Sequence, residues 1–173
     1  MKTRALVISG AVGLGVVLAA SPASAKALDT PVDGVGYRVT ADHSGKCLDV
    51  KGVSQDNGAD VIQWDCNGGA NQYWTLYAVG DGAYNLVAGH SGKCLDVEGV
   101  SLDNGADVIQ WDCNGGANQR WYLNDAGYGS YNLVAEHSSK CLDVKGVSQD
   151  NGADVIQWDC NGGANQSWTF ASA

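Results

Sequence analysis

Proline, basic charge and helical periodicity are all scarce in this chain. Only Pro22 and Pro31 occur among 173 residues, and both lie near the start, so no proline ring interrupts a strand farther on. Lys and Arg number 10 against 19 acids, a formal charge of −9. That balance excludes a generic nucleic-acid binder, which would carry a basic face, and argues against binding to anionic membrane surfaces. It suits a protein kept soluble outside the cell. Past the first 25 residues no stretch spaces its apolar residues as a helix would. Also missing are a Gly-x-Ser-x-Gly nucleophile turn, a His-Glu-x-x-His zinc helix and a phosphate-binding glycine loop. No Cys-x-x-Cys or close Cys/His cluster occurs, so neither a metal nor another cofactor is implied. Asp56-Asn57-Gly58 lacks the spaced acids and final Glu of a calcium loop, and reads as a turn.

Residues 1–25 stand apart. Lys2 and Arg4 precede an uncharged run from Ala5 to Ala20, Ser21-Pro22 breaks it, and Ala23-Ser24-Ala25 has the small-x-small form of a cleavage site. Sixteen uncharged residues are short of the ~20 that a membrane helix needs. The segment is therefore expected to be a secretory signal cut after Ala25, with Ala27 as a second cleavage point, which makes the protein extracellular and not inserted in a membrane. Its removal takes away Lys2 and Arg4 and moves the charge from −9 to −11. What remains is one domain, preceded by a loosely held leader over residues 26–36.

The domain, residues 37–173, is one unit written three times: 37–83, 84–130 and 131–173. The stretch His43–Gln72 recurs as His90–Gln119 and His137–Gln166 with a period of 47 residues. Across those thirty positions the second copy departs from the first at Glu98 and Leu102, the third only at Ser139. A period of this length marks a supersecondary unit reused as a block. Each copy holds two cysteines 19 residues apart: Cys47 with Cys66, Cys94 with Cys113, and Cys141 with Cys160. Six cysteines allow fifteen pairings. Pairing within each copy is the economical choice, because one local geometry then serves three times, and export supplies the oxidising compartment.

Short alternating runs set the architecture. Tyr37–Ala41, Tyr84–Ala88 and Tyr131–Ala135 alternate with period two, as half-buried strands do. Within the first copy, Lys46–Val50, Asp60–Cys66 and Gln72–Tyr77 are expected as three further strands, separated by turns at His43-Ser44-Gly45, Asp56-Asn57-Gly58 and Asn67–Ala70. The glycines of the last turn permit positive φ. Four strands in each of three copies give twelve. Three copies are few for a propeller, whereas a threefold barrel of hairpins, the all-β β-trefoil, accommodates them and closes the sheet edges.

The aromatic residues divide into two sets. Trp74, Trp121 and Trp168 follow Gln-x and read as inward packing at the centre of a threefold barrel. Trp64, Trp111 and Trp158 lead into polar glycine-rich loops, and composition leaves them open between the core and an exposed face. An exposed indole face with polar neighbours suits a sugar ring, whose axial hydrogens meet the negative ring face. Asp49 offers a charged acceptor for vicinal hydroxyls, while Asn71 and Gln72 offer amides. Catalysis is not expected. Sugar hydrolysis needs two carboxyls in different environments, and identical copies supply no such asymmetry. Asp65 is aimed away from Trp64 by strand alternation.

Cys-Leu-Asp-Val followed by Trp-Asp-Cys-Asn-Gly-Gly-Ala-Asn-Gln-x-Trp, three times over, resembles the ricin-type β-trefoil lectins, and in particular the carbohydrate-binding modules of secreted bacterial glycosidases. The resemblance covers Tyr37 to Phe170. It implies a monomeric, non-catalytic carbohydrate binder for galactose- or xylose-type glycans. Position by position, it implies Asp49, Asp96 and Asp143 as principal sugar ligands and Trp64, Trp111 and Trp158 as stacking platforms. Asn71, Asn118 and Asn165 would bond a ring hydroxyl, and Gln72, Gln119 and Gln166 would support the site. The family's disulfides also pair within a repeat. One departure stands out: the family commonly carries Gln two residues before the platform, where this chain has Ile62, Ile109 and Ile156, each followed by Gln63, Gln110 or Gln157. Alternation puts Ile62 on the face of Trp64 and turns Gln63 the other way, where, if buried, it needs a partner. The same fold also hosts interaction proteins such as protease inhibitors. Those depend on one distinctive loop, which near-identical copies do not provide.

Overall fold

The computed structural model describes residues 31–172. The signal segment and the leader as far as residue 30 lie outside the described residues. Each repeat contributes four strands: β1 (Gly36–Ala41), β2 (Cys47–Val50), β3 (Ala59–Trp64) and β4 (Tyr73–Ala78); then β5 (Ala83–Ala88), β6 (Cys94–Val97), β7 (Val108–Trp111) and β8 (Trp121–Gly127); then β9 (Ser130–Ala135), β10 (Cys141–Val144), β11 (Val155–Trp158) and β12 (Trp168–Ser172). Among the described residues the only helical pieces are six three-residue 3-10 turns.

Six strands close on themselves. β1 pairs with β12 and β4, β5 with β4 and β8, and β9 with β8 and β12, all antiparallel. The other six form three hairpins, β2–β3, β6–β7 and β10–β11, that cap one end. The hairpins touch one another through β3–β7 and through the bridges Ile62–Asp154 and Asp107–Ile156. This is the expected trefoil, with the expected twelve strands.

Alternation fills the interior. Tyr37, Val39 and Ala41 point inward from β1, and Leu86 with Ala88 and Leu133 with Ala135 do so from β5 and β9. Trp74, Trp121 and Trp168 are fully buried, as expected. Each indole withdraws roughly 200 Å² from water, worth about 5 kcal/mol. Each indole N–H donates to a backbone carbonyl, of Leu48, Leu95 and Leu142, at 3.0, 3.0 and 3.1 Å, so none of these three donors is stranded in the core. The threefold symmetry breaks at Phe170, which occupies the place of Leu76 and Leu123. Its ring packs edge-on against Tyr37 and Tyr131, with centroids 5.6 and 5.8 Å away.

The cysteines pair within each repeat, Cys47–Cys66, Cys94–Cys113 and Cys141–Cys160. Each closed loop contributes ~3 kcal/mol in the chain-entropy account. Two expectations need correction. The end of the leader is not loose: Gly34 N–H donates to Leu76 O, Leu76 N–H to Val35 O, and Asp33 Oδ1 accepts from Ala78 N–H. The third strand stops at Trp64 rather than Cys66, because Asp65 spends its N–H on Asn151 Oδ1 and its C=O on Gln72 Nε2.

The one substitution that marks the third copy falls on a left-handed backbone position. Gly45 and Gly92 have φ of 68° and 70°, and Ser139 holds 58°. A residue with a Cβ loses roughly 1–2 kcal/mol there. Ser139→Gly is expected to stabilise the protein by about 1 kcal/mol, seen as a higher urea midpoint at unchanged slope. An unaltered midpoint would show that no strain resides at this turn.

Candidate functional site

Each repeat forms a cleft between its hairpin and the glycine loop that follows. Asp49 lies on β2, and Trp64 ends β3. Asn71 sits in the 3-10 turn Ala70–Gln72. All three line one cavity of about 370 Å³ together with Lys51, Val53 and Ile62. The corresponding cavities of the second and third repeats, each about 390 Å³, hold Asp96, Trp111 and Asn118, and Asp143, Trp158 and Asn165.

The question left open for Trp64 is answered by its exposure. Trp64, Trp111 and Trp158 are 41, 41 and 42 % exposed, whereas the inner tryptophans are at 0 %. At the edge of each indole stands a glycine of a different repeat. A Cβ on Gly152 would lie 3.6 Å from Trp64 Cζ3, one on Gly58 3.7 Å from Trp111, and one on Gly105 3.6 Å from Trp158. Each platform thus rests against a neighbouring repeat's turn.

The carboxyl is buried yet not saturated. Gln72 Nε2 donates to Asp49 Oδ2 at 2.8 Å and to Asp65 O at 3.0 Å, and its Oε1 accepts from Asn67 N–H at 2.9 Å. Both amide hydrogens and the carbonyl of Gln72 are therefore committed inside the protein, and the residue is fully buried. It orients Asp49 and does not face the cleft. Asn71 Nδ2 donates to Val50 O at 3.0 Å. Its counterpart Asn118 donates both to Val97 O and to Asp96 Oδ1, at 3.1 and 2.8 Å. A carboxylate has about four acceptor positions, so after one or two amide bonds Asp49 can still take hydroxyls from a ligand.

Gly69 makes room for this arrangement. Its φ is −64°, so the loop does not need it for a left-handed turn; Gly68, at 77°, serves that purpose. A Cβ on Gly69 would fall 2.6 Å from Asn71 Oδ1 and 2.9 Å from Asn67 Oδ1. The expectation that both glycines serve positive φ holds for one of them.

Ile62 shares the cleft with Trp64, and Gln63 turns inward, as alternation requires. The buried Gln63 donates across the repeat boundary, from Nε2 to Ser148 O and Asp150 O at 2.8 and 2.9 Å, and its Oε1 accepts from Ser44 Oγ of its own repeat at 2.7 Å. Gln110 and Gln157 repeat the pattern on Ser54 with Asp56 and on Ser101 with Asp103. The bond that orients Asp49 comes instead from Gln72. Asp65 lies outside the cleft, paired with Lys46 and with Asn151 Nδ2.

Sequence reasoning passed over part of the cleft wall. The position held by Lys51 and Lys145 is Glu98 in the second copy, and all three line their cavities. The lysines pair with Asp60 and Asp154 at 2.9 and 3.6 Å, which Glu98 cannot do. That difference was visible as one of two departures in the second copy. The glycine at the edge of each platform was not visible, because it comes from another repeat.

The two sets of acids titrate in opposite directions. Burial pushes Asp49, Asp96 and Asp143 above the usual 3.8, against the pull of the Gln and Asn amide bonds. The bond from Lys46 to Asp65, then that from Asn151, hold this carboxyl below 3.8, and Asp112 and Asp159 behave alike. A carboxyl raised on folding costs stability at neutral pH that is regained as pH falls through its folded value. A depressed one contributes stability above 3.8 that is lost as pH falls through its lower value. Acidification therefore neutralises the cleft carboxyls first, while the Asp65 bonds persist. Carboxyl ¹³C titration by NMR should give three midpoints above 3.8 and three below, with the fold intact between them. Six midpoints clustered at 3.8 would contradict the assignment.

Residues 35–168 match the ricin-type beta-trefoil lectin domain. No curated protein sequence matches. Among solved structures, the designed threefold-symmetric protein ThreeFoil is 52 % identical with a TM-score of 0.79, over 82 % of this chain and 100 % of its own. An exo-beta-1,3-galactanase from Clostridium thermocellum is 38 % identical, TM-score 0.80, over 84 % of this chain but 32 % of its own. A ricin B-like lectin of Macrolepiota procera, solved with lactose, shares the fold at 22 % identity and TM-score 0.74, over 84 % of this chain and all of its own.

Proposed function

The chain belongs to the ricin-type beta-trefoil lectin family, a family of carbohydrate binders, and from that membership we propose that it is a secreted, non-catalytic protein with up to three equivalent shallow sugar sites. The observation that carries the reading is one arrangement present three times: a half-exposed indole beside a buried carboxylate with free acceptor positions. The indole face takes the apolar side of a pyranose. The carboxylate takes two vicinal hydroxyls through charge-assisted bonds, and the neighbouring Asn fixes a third. Gln72, Gln119 and Gln166 hold the carboxylates in place without touching the sugar.

Galactose- or xylose-type glycans are the expected ligands. The 38 % identical segment of an exo-beta-1,3-galactanase supports the galactose side of that choice. A single shallow cleft binds weakly. Three on one rigid body raise avidity by roughly 10²–10⁴ where a polysaccharide spans them. The three disulfides are consistent with an extracellular location. The protein is proposed to act as a monomer, without nucleic-acid or membrane partners. Hydrolysis is not proposed, because Asp65, Asp112 and Asp159, the acids beside the three outer tryptophans, are bound to a Lys of their own repeat and an Asn of another, away from Asp49, Asp96 and Asp143.

Changing Asp49, Asp96 and Asp143 together to Ala is expected to abolish retention on immobilised β-1,3-galactan and on xylan, while the protein still melts cooperatively. Retention equal to that of the unmodified protein would overturn the site assignment.

A further inference from the structure

Three valines sit where physical chemistry would not put them. Val53, Val100 and Val147 each have φ of 54°, in the left-handed region that a β-branched residue enters only as an outlier. They are 54, 56 and 56 % exposed and lie outside the hydrophobic core. Exposed left-handed positions are served by Gly or Asn at little cost. The residue before each valine is already such a glycine: Gly52, Gly99 and Gly146 have φ of 66°, 64° and 66°.

The surroundings explain how the conformation is held. The carbonyl of the following residue, Ser54, accepts from Gln110 Nε2 and His90 Nε2 at 2.7 and 2.8 Å. Ser101 is held by Gln157 and His137, and Ser148 by Gln63 and His43. Ser54 N–H donates back to Lys51 O at 3.3 Å. The segment is thus pinned by another repeat, as strained residues must be. The bonds run through backbone atoms, so they do not account for valine as the side chain. What the side chain does have is a place in the cleft: Val53, Val100 and Val147 line the same cavities as Trp64, Trp111 and Trp158.

Resting on the sugar-binding reading above, we infer that Val53, Val100 and Val147 are ligand-contacting residues. Each presents two methyl groups to a second apolar surface of the bound saccharide, in addition to the one seated on the tryptophan. The strain is held in the free protein so that this wall is preformed, which spares the ligand the ordering cost of assembling it. The class of ligand that gains from two apolar walls is a saccharide with two apolar surfaces, such as an oligosaccharide of two units, and each cleft of 370–390 Å³ has the size of a small-molecule site.

The test uses two triple variants, Val53→Gly/Val100→Gly/Val147→Gly and Val53→Ala/Val100→Ala/Val147→Ala, with β-1,3-galactobiose and xylobiose as probes in titration calorimetry. Both variants are expected to bind the disaccharide that the unmodified protein binds about fivefold more weakly, the loss that follows from withdrawing a partly buried pair of methyls. The glycine variant is expected to melt about 3 °C higher or more as the left-handed strain is released. A purely structural valine would move stability alone. Affinity equal to that of the unmodified protein in both variants overturns the inference and leaves the sugar-binding reading intact. If the unmodified protein binds neither disaccharide, the sugar reading fails and the inference falls with it. If the glycine variant does not fold, the alanine variant decides by affinity.

Discussion

A buried glutamine amide, Gln63 in the first repeat, reaches across to the backbone of the third and accepts a serine hydroxyl from its own. The other two repeats make the same reach, so three amides stitch the hairpin cap into a ring. A buried amide left without partners costs about 1–3 kcal/mol, and each of these gives both N–H groups to one neighbouring turn while its oxygen accepts from a serine of its own repeat. Strand register follows from this. With the glutamine inward, Ile62 and Trp64 must face out, because a one-residue slip would bury the indole and expose the amide. The exposed platform and the sealed repeat boundary are therefore two faces of one alternation.

The cleft shows how a buried carboxylate is kept useful. Asp49 is almost fully withdrawn from water, and burial alone favours its neutral form. Gln72 offsets part of that cost with a single amide hydrogen and is itself locked by Asp65 O and Asn67 N–H. Acceptor positions remain, in a direction fixed before any ligand arrives. The outer acid, Asp65, is stabilised as an anion by Lys46 and Asn151 and contributes to joining repeats. Two aspartates sixteen positions apart in sequence thus sit in different settings, one buried in the cleft with acceptor positions left over and one spent on joining repeats.

Much of this could be read from the chain. Period-two alternation gave the strands, the threefold repeat gave the barrel, and the Gln-x context marked the inner tryptophans, whereas the exposure of Trp64, Trp111 and Trp158 had to come from the folded chain. What could not be read depended on contacts between copies. Nothing in the local sequence of Trp64 announces Gly152 at its edge, nor does Gln63 declare Ser148 and Asp150 as its partners. Gly69 looked like a turn residue, yet it is required for the space beside Asn71 Oδ1. Val53 is the clearest case: local propensity argues against a left-handed valine, and only the fixed ends of its segment hold it there.

The glycine at the edge of each indole gives the molecule a direction. The third repeat flanks the first platform, the first flanks the second, and the second flanks the third, so the repeats form a relay running one way around the axis. Damage to one repeat's Ser-x-Asp-Asn-Gly turn would be felt at the next repeat's platform rather than its own. An excised repeat would keep its Asp, Trp and Asn and still lack both the glycine turn at the edge of its indole and the acceptors for its glutamine. The smallest complete cleft is therefore a property of the closed circle, and the unit that is copied in the sequence is not the unit that works.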